Sequence, residues 1–352
     1  MIEPIWGEPI MTRQDDLQAG EVDLRRRQIC AAMLLAAAAP LAGAQEQVPD
    51  QAQDQAPAEP AWRCIDFDWA DATRQRTVPA RLYWPAHSAG PVSLLVFSHG
   101  IGGSREGYSY LGRHWAAQGA ASLHVQHVGS DKALWFGNPF GMVGRLQAAA
   151  QEREALHRVQ DLRFALDRVL DPAVFAPGEQ IDRHRIVAAG HSYGANTSLL
   201  AVGARVQRGG RWLDVHEPRF SAAVLISAPP FYGERDLAAI LGSVAVPTLH
   251  VTATQDVIQI PGYHSGVDDR IAVFDAVADP RKMLVVFTGG SHSMFTDRAG
   301  TGGWSLNPQV KSATKALALA FLRRSFDGDA VSLQRWGLEW QPIVARVVGV
   351  LG

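Results

Sequence analysis

The chain has 352 residues, of which 47% are hydrophobic and 19% charged, with a formal net charge of −2. That is ordinary globular composition, long enough for a sizeable core, and it lacks the basic excess of a nucleic-acid binder. Only two cysteines are present, so no disulfide framework organises the fold.

The first sixty residues differ in character from the rest. Arg25, Arg26 and Arg27 precede an apolar, alanine-rich run over residues 29–41, and Ala42-Gly43-Ala44 follows. A positive start, a short apolar centre and an A-x-A site mark a secretory signal peptide over residues 1–44. Arg26-Arg27-Gln28-Ile29 also resembles a twin-arginine export signal. The run is too short to cross a bilayer comfortably, so no stable membrane span is expected. Residues 45–60 are rich in Gln, Pro, Ala and Asp, which reads as a disordered linker. The expected location is periplasmic or secreted. Cleavage after residue 44 would remove Cys30 and leave Cys64 without a partner.

From residue 61 the pattern is that of one folded domain. Residues 62–69 and 78–84 alternate apolar and polar around a turn at 71–74, as in an antiparallel hairpin. Residues 91–98 form a continuous apolar run, typical of a strand buried on both faces. A helix is expected over 111–118, a strand over 121–128 and a helix over 152–170, whose stripe includes Leu156, Val159, Leu162 and Leu166. Further strands are expected at 185–189, 222–226, 248–252 and 283–287, and a buried helix at 310–323. Strands alternating with helices predict an α/β domain over 61–352: a mostly parallel central sheet with helices on both faces. Residues 130–150 break the alternation. Trp135, Phe136, Phe140 and Met142 stand there among glycines, and the stretch reads as a lid-like insertion whose Trp135 and Phe136 border a substrate pocket.

Gly190-His191-Ser192-Tyr193-Gly194 lies between an expected strand and an expected helix. In that context G-x-S-x-G is a sharp turn that lifts the serine hydroxyl off the sheet, with glycines where side chains would collide. A serine nucleophile needs a base and an acid. His292 follows the expected strand at 283–287, and of the 12 histidines it alone holds that position. Asp256 stands a few residues beyond the expected strand at 248–252, so the chain order is Ser192, Asp256, His292. Asp236, after the preceding strand, is the other candidate acid, with Asp268 and Asp269 read as surface-loop residues. Ser98-His99-Gly100-Ile101-Gly102-Gly103 follows a buried strand. It would offer the Ile101 N–H, with that of Tyr193, to an oxyanion. His124 and His127 are spaced like metal ligands but belong to opposite faces of a strand, so they are read as structural and no metal or organic cofactor is expected.

With these residues in view, the chain resembles the α/β-hydrolase superfamily. Residues 97–104, Tyr108-Ser109-Tyr110-Leu111-Gly112 and the Gly190–Gly194 stretch are similar to the platelet-activating-factor acetylhydrolase and dienelactone-hydrolase-like group. The resemblance implies an α/β-hydrolase fold with Ser192 as nucleophile, His292 as base, and Ile101 and Tyr193 as oxyanion donors. Two departures stand out. Dienelactone hydrolases use a cysteine where this chain has Ser192, and the acetylhydrolases place their acid where this chain has Ser227-Ala228-Pro229. The expected activity is cleavage of a carboxylic ester, small or lipid-like, through an acyl-enzyme. An amidase or peptidase on the same residues, or a non-catalytic ligand-binding protein of the same fold, are the alternatives.

Overall fold

The computed structural model describes residues 61–349, apart from 176–177 and 261. The expected signal peptide and linker lie outside the described residues.

In chain order the strands are β1 (Trp62–Asp71), β2 (Arg76–Pro85), β3 (Val92–Ser98), β4 (Ala121–Val125), β5 (Ile181–His191), β6 (Val206–Arg208), β7 (Arg211–Leu213), β8 (Ala222–Ile226), β9 (Thr248–Ala253), β10 (Ile258–Ile260), β11 (Tyr263–Ser265), β12 (Lys282–Phe287) and β13 (Val344–Gly349). The helices are α1 (Ser109–Ala117), α2 (Met142–Ala149), α3 (Glu152–Val169), α4 (Tyr193–Ala201), α5 (Leu237–Leu241), α6 (Val267–Ala276), α7 (Leu306–Asp327) and α8 (Ala330–Trp340). A nine-stranded sheet runs in the order β1-β2-β4-β3-β5-β8-β9-β12-β13. From β4 to β12 every neighbouring pair is parallel, and the β1–β2 hairpin and β13 close the two ends in antiparallel pairing. β6–β7 and β10–β11 are separate short ribbons.

Each central strand is apolar on both faces because helices cover both. Leu94, Val96, Ile186 and Ala188 belong to one core with residues of α3 and α4. Their neighbours Leu95, Phe97, Val187 and Ala189 belong to a second core with residues of α1, α7 and α8. Their parallel pairing brings the C-terminal ends of β3, β5, β9 and β12 to one rim of the sheet.

Several boundaries differ from expectation. The strand expected over 121–128 stops at Val125, because the chain turns off the sheet there and the His127 amide is taken by the His99 ring at 3.0 Å. The segment of Asp268 and Asp269, expected as surface loop, opens α6, where both acids occupy the favourable first turn. The last long helix reaches from Leu306 to Asp327 and ends on Gly328 in the left-handed region, a residue free of the Cβ penalty. α8 and the edge strand β13 had no expected counterpart.

Candidate active site

The site begins with the turn between β5 and α4. Ser192 has φ 55° and ψ −125°, a strained conformation for a residue with a Cβ. A Cβ on Gly190 would overlap the backbone of Gly194, and a Cβ on Gly194 would overlap the carbonyl of Ser98. The two glycines therefore let the turn close on itself and let the elbow helix lie against the end of β3. The Ser192 amide donates to the Ile226 carbonyl at 2.9 Å, which ties the turn to β8.

The structure brings Ser192, His292 and Asp256 together. His292 Nε2 lies 2.8 Å from Ser192 Oγ, and its Nδ1 lies 2.7 Å from Asp256 Oδ1. Asp256 is fully buried, and its Oδ2 accepts the Thr252 hydroxyl at 2.7 Å and the Ser227 hydroxyl. Arg270, itself buried on α6, places Nη2 3.6 Å from Asp256 Oδ1. Burial alone would raise the Asp256 pKa. The hydrogen bond and charge of His292, the Arg270 charge and the Ser227 hydroxyl outweigh it and hold the carboxyl below the usual carboxylate range. An ionised Asp256 only accepts, so His292 carries its proton on Nδ1 and turns the Nε2 lone pair to Ser192. Of the other candidate acids, Asp236 caps α5 through the Ala239 amide at 2.8 Å, and Asp268 is exposed. Ser227, at the position that the resemblance assigns to the acetylhydrolase acid, donates its hydroxyl to the Asp256 carboxylate that follows the next strand.

The turn after β3 is built as tightly. The Gly100 amide donates to Tyr108 Oη at 3.2 Å, the Gly102 amide to Ser130 O at 2.8 Å and the Gly103 amide to Gly100 O at 3.0 Å. The Ile101 amide has no acceptor among the described residues, and Ile101 lines the same cavity as Ser192 and Tyr193, the first residue of α4. His99 orients that peptide. Its Nε2 accepts the His127 amide, so the ring proton sits on Nδ1 and is donated to Gly100 O at 2.7 Å. Gly100 O and Ile101 N–H share one peptide plane, so both bonds to the oxygen fix and polarise the free amide. Burial and the Arg158 charge keep His99 neutral, well below the ordinary histidine pKa.

His191, inside the elbow, links the two halves. Its Nε2–H donates to the His292 carbonyl at 3.1 Å, and its Nδ1 accepts Tyr108 Oη at 2.9 Å. Burial, with His292 alongside, pushes its pKa down to about 3, which suits this neutral tautomer. The sequence did not single out His191, Tyr108, Thr252 or Arg270 for these contacts. His191 lies within the elbow and Tyr108 just after the Gly-rich turn, whereas Thr252 on β9 and Arg270 on α6 carry no such signal.

Ser192, Ile101, Tyr193 and His292 open on a cavity of about 520 Å³. Its walls include Trp135, Leu146, Tyr232, Ile258 and Tyr263. Residues 130–150 fold as two single turns of 3₁₀ helix and α2. They clasp the Gly-rich turn: the Trp135 indole covers Gly102 and donates Nε1–H to its carbonyl at 2.7 Å. Phe136, expected beside Trp135 in the pocket, is 71% exposed and forms no part of the wall. The correction has a simple cause. The 3₁₀ turn ends at Trp135, and extended backbone at Phe136 points its ring away from its neighbour's. His124 and His127 lie on opposite sides of the sheet plane, His124 against Phe97 and His127 on Ser98 and Asp161. Among the described residues no group of His, Cys, Asp and Glu could hold a metal ion, and no helix is long and apolar enough to cross a membrane.

Residues 63–135 match the family model of platelet-activating factor acetylhydrolase, isoform II, a stretch that carries the Gly-rich turn and ends before the elbow. A ferulic acid esterase from Streptomyces cinnamoneus superposes with a TM-score of 0.53 at 20% identity, covering 78% of this chain and 92% of that one. A candidate dienelactone hydrolase from Klebsiella pneumoniae subsp. pneumoniae gives 0.50 at 17% identity, covering 72% and 99%. No curated protein matches the chain. The protein has the α/β-hydrolase fold, and its residues 63–135 resemble the platelet-activating factor acetylhydrolase family.

Proposed function

We propose that the protein is a serine hydrolase that cleaves a carboxylic ester through an acyl-enzyme. One observation carries the reading: Ser192 Oγ, His292 and the buried Asp256 are linked by hydrogen bonds of 2.8 and 2.7 Å. The serine is held on strained backbone at the mouth of an apolar cavity. The ester-cleaving neighbour of the same fold supports it.

In this mechanism the Ser192 oxygen attacks the ester carbonyl while its proton passes to His292 Nε2. The carbonyl π pair moves onto oxygen, which the Ile101 and Tyr193 amides receive. Asp256 stays ionised and stabilises the imidazolium. Collapse of the adduct breaks the bond to the leaving alkoxy oxygen, which takes the proton from Nε2. Water then repeats the sequence: its proton goes to Nε2, its oxygen attacks the acyl carbon, and Ser192 Oγ leaves reprotonated.

A fluorophosphonate probe, with p-nitrophenyl esters of increasing acyl length, tests the proposal. Wild type should be labelled and Ser192→Ala should not, with a loss in turnover of about 10³-fold or more. A Ser192→Ala protein that keeps its activity would remove the assignment. A labelled enzyme that turns over amides but no ester would replace ester with amide.

A further inference from the structure

Behind the oxyanion turn lies a buried polar cluster that the mechanism above does not use. Its centre is Arg158 on α3, with no solvent exposure. Nε donates to Thr197 Oγ1 at 2.9 Å, Nη1 to Ser130 Oγ at 2.8 Å, and Nη2 to Ser98 Oγ at 3.0 Å and to the His99 carbonyl. Its guanidinium carbon stands 4.3 Å from the centre of the Tyr193 ring. These partners divide between the two elements that carry the Ile101 and Tyr193 amides. Ser98 and His99 lead into the Gly-rich turn, Ser130 also anchors that turn through its carbonyl, and Thr197 returns its own hydroxyl to Tyr193 O at 3.0 Å.

All four acceptors are neutral. The nearby carboxylates are engaged elsewhere: Asp161 by Arg74, Arg76 and His127, and Glu154 by Arg76 and Ser130. Among the described residues no carboxylate lies within ion-pair distance of Arg158. A buried guanidinium without a direct counter-ion is expensive to maintain. A positive charge already held in place in a dry site stabilises negative charge that develops nearby in a transition state, with no reorganisation at that moment.

We infer that Arg158 is a positioning residue for the oxyanion: it clamps the two donor segments in register and supplies the positive field behind them. This inference rests on the serine-hydrolase reading of Ser192. Ser98, His127 and Asp161 support it from behind. Ser98 Oγ lies 2.8 Å from His127 Nε2 and His127 Nδ1 lies 3.1 Å from Asp161 Oδ2, so Ser98 donates to His127 and is free to accept from Arg158. This second Ser–His–Asp chain is sealed from solvent. It has no access to substrate and acts as scaffolding for the guanidinium.

The test compares Arg158→Met, which removes the charge, with Arg158→Lys, which keeps it and loses the fork. Each is measured for kcat, KM, inhibition by an alkyl boronic acid, which forms a tetrahedral adduct on serine, and inhibition by the carboxylic acid product. Arg158→Met should lose about 10²-fold in kcat with KM changed by less than about threefold. It should lose boronate affinity by a similar factor and keep product affinity, and Arg158→Lys should recover part of both losses. If Arg158→Met does not fold, Thr197→Val carries the comparison, with a smaller loss of boronate affinity and unchanged product affinity expected. Boronate affinity unchanged in a folded variant overturns the inference. So does an equal loss of boronate and product affinity, the mark of general loosening. Fluorophosphonate labelling separates the two levels. A labelled wild type with unaffected variants refutes only the role of Arg158, whereas an unlabelled wild type removes the reading beneath it.

Discussion

Replacing Asp256 by Asn alters hydrogen-bonding chemistry while barely changing volume. Oδ2 of Asp256 receives two hydroxyl donors, Ser227 and Thr252, and Oδ1 receives His292 Nδ1. An amide has one oxygen to offer. The two hydroxyls hold that oxygen on their side, which turns the NH2 group toward His292. A donor facing Nδ1 selects the tautomer with its proton on Nε2, the nitrogen that must take the proton of Ser192. The expected loss is about 10⁴-fold in kcat, equal to about 5 kcal/mol of barrier. Asp256 does not line the cavity, so KM should stay within about threefold. The assay is steady-state hydrolysis of a p-nitrophenyl ester at pH 7.5, with circular dichroism to verify folding, and Asp236→Asn and Asp268→Asn as controls with near wild-type rates. A folded Asp256→Asn that keeps more than about a tenth of kcat refutes the tautomer argument. Loss of activity in Asp236→Asn would move the acid to the preceding strand.

Three further outcomes are expected. Burial pushes His124 down to about 4 and His191 and His250 to about 3, against 6.5 for a free histidine. These rings stay neutral in the folded protein while the unfolded chain takes up protons below pH 6.5. Their contribution is therefore complete above that pH and is lost as pH falls toward 4, about 2 kcal/mol each at pH 5. That total is comparable with a whole domain's stability of about 5–15 kcal/mol, and an unchanged urea midpoint between pH 7.5 and 5 would contradict it. Trp135→Ala, which uncovers Gly102 and opens the cavity wall, should change relative rates among esters, whereas Phe136→Ala should change none. A substrate profile altered equally by both would show that the whole insertion, and not its inward ring, shapes the pocket. Gly194→Ala should destabilise the fold by about 3 kcal/mol and abolish fluorophosphonate labelling, because its Cβ meets the Ser98 carbonyl and not a movable side chain. A normally labelled variant would show that α4 can shift off β3.

Where chemistry depends on local pattern, the amino-acid sequence was sufficient to indicate it. Apolar runs located β3, β8, β9 and β12 to within a residue or two, because a strand covered on both faces must be apolar throughout. Gly190 and Gly194 implied a turn too tight for side chains, and the structure identifies the atoms that forbid them. Strand order also brought forward Ser192, Asp256 and His292 as candidates, since residues just past parallel strands gather at one rim. Residues whose roles arise only from contact could not be read in this way. Arg158 interrupts the apolar face of α3 formed by Ala155, Val159 and Leu162, an irregularity visible in the sequence, but its four acceptors come from segments up to 60 residues away. A neutral Ser227 could not itself be the acid, and its contact with the Asp256 carboxylate depended on how β8 and β9 pair. Trp135 and Phe136 are adjacent and similar in hydrophobicity, so local pattern gave them one role. Only the backbone turn between them, set by packing against Gly102, placed one ring in the cavity wall and the other in solvent.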